Sequence, residues 1–218
     1  MAVAHRLRYT SSPLTNVDAR TALLDLLIAH SYRYDPDAPF RLASGKSSTF
    51  YIDCRATTMR GVAMEMVGRL VGDHVPADVE AVGGLTMGAD PIAIAVASYR
   101  TRHGRPLDAF SVRKEAKKHG LAKWVEGPVS AGAKVAVLDD VVTTGGSTID
   151  AIKRCRDAGL EVRAVIVLVD RQEHGGLDDV RREAGPAVPV TAVFTREELQ
   201  ARWTRANPPD APSRPPAR

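Results

Sequence analysis

Short runs of β-branched residues alternate along this chain with segments whose apolar residues recur at helical spacing, and that order restricts the fold more than any other feature. The strand candidates are DVEAVGGL, LDAFSVR, KVAVLDDVV, EVRAVIVLVDR and VPVTAVFT. The helical candidates MRGVAMEMVGRLVGDH, GADPIAIAVASYRTRHG and GGSTIDAIKRCRDAG precede or separate them. Val/Ile-rich strands interleaved with helices predict an α/β fold, with a mostly parallel central sheet flanked by helices on both faces. Before this region, NVDARTALLDLLIAHSYRY sets Leu23, Leu24, Leu27 and Ile28 at helical spacing, with Asn16 or Asp18 as the cap. FRLASGKSSTFYIDCR then alternates around a Ser-Gly-Lys-Ser turn and reads as a β-hairpin.

Composition excludes several classes. The 218 residues are 44% hydrophobic and 26% charged, the balance of a water-soluble globular chain. No apolar run approaches the ~20 residues that cross a bilayer, and MAVAHRLRYTSSP lacks the apolar core of a secretion signal. Cys54 and Cys155 stand far apart without metal-ligand spacing, and so read as free thiols in a reducing cytoplasm. A net charge of +4 fits nucleic acid or a phosphorylated small molecule equally well, so the placement of charge decides more than its sum. The final NPPDAPSRPPAR, rich in proline and poor in apolar residues, reads as a disordered tail over 207–218.

Two stretches carry chemistry. VAVLDDVVTTGG ends a core strand with two acids, Asp139 and Asp140, and a hydroxyl-rich turn. Ligands of parallel sheets bind at such carboxyl ends. Thr143, Thr144, Gly145, Gly146 and Ser147, at the start of a helix, form an anion cradle suited to a phosphate. The acids would repel that phosphate and must meet another part of the ligand, for which vicinal hydroxyls are the natural partner. Ribose 5-phosphate has both. Taken alone, an Asp-Asp pair also reads as a turn cap. The second stretch, FSVRKEAKKHGLAKWVEG, packs Arg113, Lys114, Lys117, Lys118 and His119 into seven residues, with Gly120 and Gly127 as hinges. Such a run reads as a solvated loop or as a flap that closes over a pyrophosphate. SGKSS does not make a nucleotide P-loop, because Phe40 stands where that motif requires glycine.

The run from Val135 through Ser147 resembles the PRPP-binding signature of the type I phosphoribosyltransferases. RKEAKKHG narrows the resemblance to the orotate phosphoribosyltransferases, whose catalytic loop it is similar to, and FRLASGKSSTFYID resembles that family's N-terminal hairpin. The three anchors fall in the family's order, and the likeness spans roughly residues 40 to 176.

The resemblance implies a type I phosphoribosyltransferase fold over 1–206 as one domain, with an N-terminal helix and hairpin hood at about 14–60. It implies transfer of the phosphoribosyl group of PRPP to orotate, giving orotidine 5′-monophosphate and pyrophosphate in UMP synthesis. Lys117 and Asp140 would be catalytic. PRPP would be held by Arg113, Lys114, Lys117, His119, Asp139, Asp140, Val141, Val142, Thr143, Thr144, Gly145, Gly146 and Ser147. Thr143 and Arg171 would hold orotate. Mg²⁺ would be bound mainly through PRPP and water, with no protein metal site. The family also implies a cytoplasmic homodimer whose loop reaches into the partner's site, with no nucleic-acid or membrane partner. Relatives place lysines where this chain has Ala43 and Met87; Lys46 is not in register with the first of these. Gly83 and Gly84 would let backbone amides approach the ligand. Two alternatives stay open on the residues alone: a PRPP-binding transcriptional or RNA-binding regulator on the same fold, and a phosphoribosyltransferase for another base.

Overall fold

The computed structural model describes residues 15–41, 47–115 and 124–208. Helix α1 (Asn16–His30) is capped by Thr15, whose hydroxyl accepts the Asp18 N–H at 3.2 Å. Asp18 returns its carboxylate to the Thr15 N–H at 3.3 Å. The cap is therefore one residue earlier than expected, and Asp18 is the reciprocal member of a capping box.

The hood region splits its pairing. Strand β1 (Tyr32–Tyr34) pairs antiparallel with β4 (Phe50–Ile52), whereas β2 (Phe40–Arg41) pairs with β3 (Ser47–Ser48). The expected hairpin is present but two residues deep; its turn, with Ala43 and Lys46, lies outside the described residues. Phe50 pairs elsewhere because its ring is buried on Tyr32, with centroids 6.2 Å apart.

The short helix α2 (Arg55–Thr58) and α3 (Gly61–Gly72) lead into β5 (Ala81–Leu85), α4 (Asp90–Arg102) and β6 (Asp108–Val112). Then come β7 (Val125–Glu126), β8 (Lys134–Val142), α5 (Gly146–Asp157), β9 (Glu161–Asp170), α6 (Gly176–Ala184), β10 (Val190–Thr195) and α7 (Arg196–Ala206). The six-stranded sheet has the order β10-β9-β8-β5-β6-β7 and is parallel except at β7.

Successive strand residues face opposite sides, and the chain uses both. Ala136, Leu138, Ala164, Ile166 and Leu168 pack with α1, α3, α4 and α7, while Val135, Val137 and Val165 pack with α5 and α6. Helices α4 and α5, which follow the adjacent strands β5 and β8, thus leave on opposite faces. The sheet's switch point lies between them, and a crevice opens there.

Helix α7 lies beyond the elements expected from apolar spacing, although Thr195 and Glu198 form a second capping box at its start. It fastens the hood: Arg202 grips Asp25 at 2.5 and 2.7 Å, and Trp203 meets the Tyr34 ring edge-on at 5.1 Å. Helix α6 also escapes that pattern; its sequence GLDDVRREA offers little apolar signal, and only Gly176, Val180 and Ala184 are buried. Among the described residues no helix is long and apolar enough to cross a membrane. Both cysteines are free and buried.

Gly83 and Gly84 do not line a ligand path. They are buried within β5, where a Cβ would come within 2.1 Å of the Phe110 carbonyl and 1.9 Å of the Leu138 carbonyl, respectively. Their task is close strand packing. Gly84→Ala should cost about 3 kcal/mol and lower Tm by about 6–12 °C; an unchanged thermal midpoint would show that the sheet tolerates the methyl group.

Candidate functional site

A cleft of about 250 Å³ occupies the switch point. Tyr51, Asp53 and Arg55 from the hood, Thr86, Met87 and Gly88 after β5, Lys114 after β6, and Asp139 to Val141 at the end of β8 line it.

The two acids have separate tasks because adjacent strand residues point to opposite faces. Asp139 turns toward α5 and is only 4% exposed. One of its oxygens accepts the hydroxyls of Thr148 (2.5 Å) and Ser147 (2.9 Å), and the other accepts the Asp140 N–H (2.9 Å). Burial raises its pKa, against the pull of those hydrogen bonds. Its oxygens are thus occupied by the protein, and Asp139 ties strand to helix.

Asp140 turns the other way, toward the loop that starts α4. A Cβ on Gly88 would lie 2.5 Å from Asp140 Oδ1, so the carboxylate reaches its position only because residue 88 is glycine. Burial, and then the Asp139 charge, push its pKa up to about 7, with a weaker opposing pull from Arg55. Arg55 is itself held by Asp53, at 3.0 and 3.3 Å. Across the cleft, Asp90 accepts the hydroxyls of Thr86 and Ser111, each at 2.7 Å, which fastens the residue 86–89 loop to β6.

Beyond Asp140, the Val142 side chain is buried in the core and its carbonyl accepts the Arg171 N–H at 3.0 Å; it supports the loop from beneath. Val141 borders the cleft, Thr143 is half-buried and Thr144 exposed. Gly145 takes the left-handed conformation at φ 80° as the cap of α5, packed so closely that a Cβ would sit 2.6 Å from the Gly176 carbonyl. No side chain caps α5. The first N–H groups of a helix have no acceptor within it, so those of Gly146 and Ser147 could serve an anion.

Arg171, at the end of β9, is only 6% exposed, and its Nε and Nη2 have no hydrogen-bond partner. Glu173 lies 3.1 Å from Nη2 as an ion pair without hydrogen-bonding alignment, and the guanidinium stacks 4.6 Å from the Phe50 ring centroid. A buried guanidinium with hydrogen-bonding capacity left unmet is suited to a planar anion.

Of the cationic segment, Arg113 and Lys114 are described: Lys114 borders the cleft, and Arg113 pairs with Glu126 at 3.4 Å. Lys117 and His119 lie outside the described residues. Met87, exposed, occupies the cleft wall. Sequence reasoning did not single out Arg55, Asp53, Thr86 or Gly88, because their roles depend on adjacency across three separate elements. Among the described residues no cluster of three metal-ligating side chains exists.

A parallel sheet with a hydroxyl-rich helix start at its switch point, beneath a hood, defines a type I phosphoribosyltransferase. A curated relative from Synechocystis sp., named orotate phosphoribosyltransferase, is 46% identical over 191 residues, which cover 87% of this chain and 92% of that one. The crystal structure of Mycobacterium tuberculosis orotate phosphoribosyltransferase with Fe(III) dicitrate has a TM-score of 0.71 at 32% identity, covering 83% of this chain and 98% of that one. The same enzyme in complex with PRPP has a TM-score of 0.64 at 31% identity, covering 83% and 91%. No family model matches the chain. On these relatives, the chain belongs to the orotate phosphoribosyltransferase family.

The raised pKa of Asp140 bears on stability. The folded chain holds this proton more tightly than the unfolded one. The stability that protonation confers is therefore fully present below the ordinary carboxylate range and is lost as pH rises toward about 7; above that the cost is constant. Asp140→Asn should raise Tm by about 2–4 °C at pH 8, with the gain fading toward pH 5. A gain independent of pH would contradict this reading.

Proposed function

We propose that this cleft transfers the phosphoribosyl group of PRPP to orotate, releasing pyrophosphate and forming orotidine 5′-monophosphate. The observation that carries the reading is Arg171, a buried guanidinium whose Nε and Nη2 lack a hydrogen-bond partner although Glu173 balances its charge, one strand end away from the start of α5. The crystal structure of the M. tuberculosis relative in complex with PRPP supports PRPP as the phosphoribosyl donor here.

The 5′-phosphate sits on the N–H groups of Gly146 and Ser147 and the hydroxyls of Thr143 and Thr144. Asp140 receives the ribose hydroxyls. Asp139 acts behind it, holding the helix start that carries the cradle. Arg171 clamps the orotate carboxylate with its free edge, beside Thr143 and above Phe50. The pyrimidine nitrogen displaces pyrophosphate at the anomeric carbon through an oxocarbenium-like transition state, with inversion. Negative charge then builds on the departing pyrophosphate, where Lys114, Arg113, Lys117 and His119 offset it, and such preorganised groups commonly contribute ~3–4 kcal/mol each. Lys117 has the catalytic role among them.

The donor set suits Mg²⁺ held chiefly by substrate oxygens and water: two half-buried carboxylates, Asp53 and Asp140, line the cleft, Asp53 already holds Arg55, and no group of three metal-ligating side chains stands there among the described residues. When bound, the ion neutralises phosphate charge. The functional unit is one cytoplasmic domain over 1–206 that works as a homodimer with the cationic loop shared between sites. Exposed Met59, Val62 and Ile94, on or beside α3 and α4, support an apolar contact with a second copy.

Orotate absorbance should fall when PRPP and Mg²⁺ are added to the wild-type protein. Arg171→Ala should raise the KM for orotate by about 100-fold and that for PRPP by under about 3-fold. Equal losses for both substrates would misplace the base. Mixing Lys117→Ala with Asp140→Asn protein and allowing subunits to exchange should restore roughly a quarter of wild-type activity, since half the dimers become hybrids with one intact site each. No recovery in demonstrated hybrids would rule out the shared loop.

A further inference from the structure

Arg154 belongs to α5 but does its work at the far side of the cleft. Its side chain is 19% exposed, and Nη1 donates to the Arg113 carbonyl at 2.5 Å. Its guanidinium carbon lies 4.4 Å from the centre of the Trp124 ring. The remaining edge faces Asp150, one turn earlier, at 3.6 Å. Arg113 and Trp124 are the two stem residues of the cationic segment: the Arg113 N–H donates to the Trp124 carbonyl at 2.8 Å, directly beyond the Val112–Val125 rung of β6 and β7. One guanidinium therefore touches both stems.

The stem needs this support. β7 is a two-residue edge strand, too short to fix a register by its own hydrogen bonds. The Arg113 carbonyl belongs to the peptide that joins Arg113 to Lys114, so holding that oxygen sets the plane from which the Lys114 side chain departs into the cleft. Burying arginine this far is justified by a carbonyl and an aromatic face together, and lysine would satisfy only the first.

We infer that Arg154 is a positioning residue that locks the hairpin stem and thereby aims Lys114 at the leaving pyrophosphate. It couples the helix that cradles the 5′-phosphate to the cations on the opposite wall. The inference rests on the function proposed above for its catalytic consequence, but its physical half does not.

That half is read without turnover. In Arg154→Leu, trypsin cleavage after Arg113 and Lys114 should accelerate by about 10-fold, while cleavage elsewhere stays constant; an unchanged rate overturns the inference. In the active enzyme, Arg154→Leu should lower kcat by about 10-fold with the KM for orotate within about 2-fold. Lys114→Ala should then cost little more in the Arg154→Leu background, because its aim is already lost. Independent, multiplying losses would reduce Arg154 to a structural residue. Should Arg154→Leu fail to fold, Trp124→Leu removes the other half of the contact from a half-exposed position, and the same coupling to Lys114 is expected. Absence of turnover in the wild type would reject the proposed activity, and the proteolysis result would still decide whether Arg154 locks the stem.

Discussion

The site depends on one buried carboxylate. Asp139 receives two hydroxyls from the first turn of α5 and so fixes where the helix begins relative to the last residues of β8. That helix start is the anion cradle. Because the strand alternates, locking Asp139 to one face commits Asp140 to the other, where Gly88 leaves it room. A single inter-element tether therefore orients the phosphate subsite and the hydroxyl-binding acid at once. Without it, no side-chain hydrogen bond would tie the first turn of α5 to the end of β8.

The arrangement is costly to the free protein. Asp140 is raised to about 7 by burial and by its neighbour's charge, and Arg171 keeps two buried nitrogens without a hydrogen-bond partner. Groups with unmet hydrogen-bonding demand weaken a fold and strengthen the binding of a ligand that meets that demand. Both lie at strand ends, where the packed interior of the sheet can hold them in place. The apolar clusters on the two faces supply the rigidity; the polar rim supplies the chemistry.

Much of this could be read from the chain itself. Alternating Val/Ile runs and helical segments predict the parallel sheet, and its strands fall where those runs stand. The D-D-V-V-T-T-G-G-S run spans the end of β8 and the start of α5, where a strand is expected to give way to a helix, and Arg113 and Lys114 open the dense basic segment directly after β6. What the sequence concealed was direction. On the residues alone Asp139 and Asp140 are equivalent, and only the resemblance sets Asp140 apart; the pleat separates them physically. The sequence offers Gly83 and Gly84 as ligand-facing, whereas their missing side chains serve strand packing. Helix α6 lacks apolar periodicity, and α7 announces itself only through its capping box. Arg55 and Arg154 emerge only once hood, sheet and helix are assembled. Nothing in the structure or among the relatives favours the regulator, or another base, over the orotate enzyme.

The central claim is that a phosphoribosyl ligand seats at the β8–α5 junction with Asp140 as its ionised partner. Calorimetric titration of PRPP with Mg²⁺ at pH 7, repeated in buffers of different ionisation heat, measures the protons exchanged on binding. Asp140 should give up roughly half a proton per site, a release present in the wild type and missing from Asp140→Asn after the ligand's own contribution is subtracted. No binding at millimolar PRPP, or identical proton exchange in the two proteins, would contradict the account.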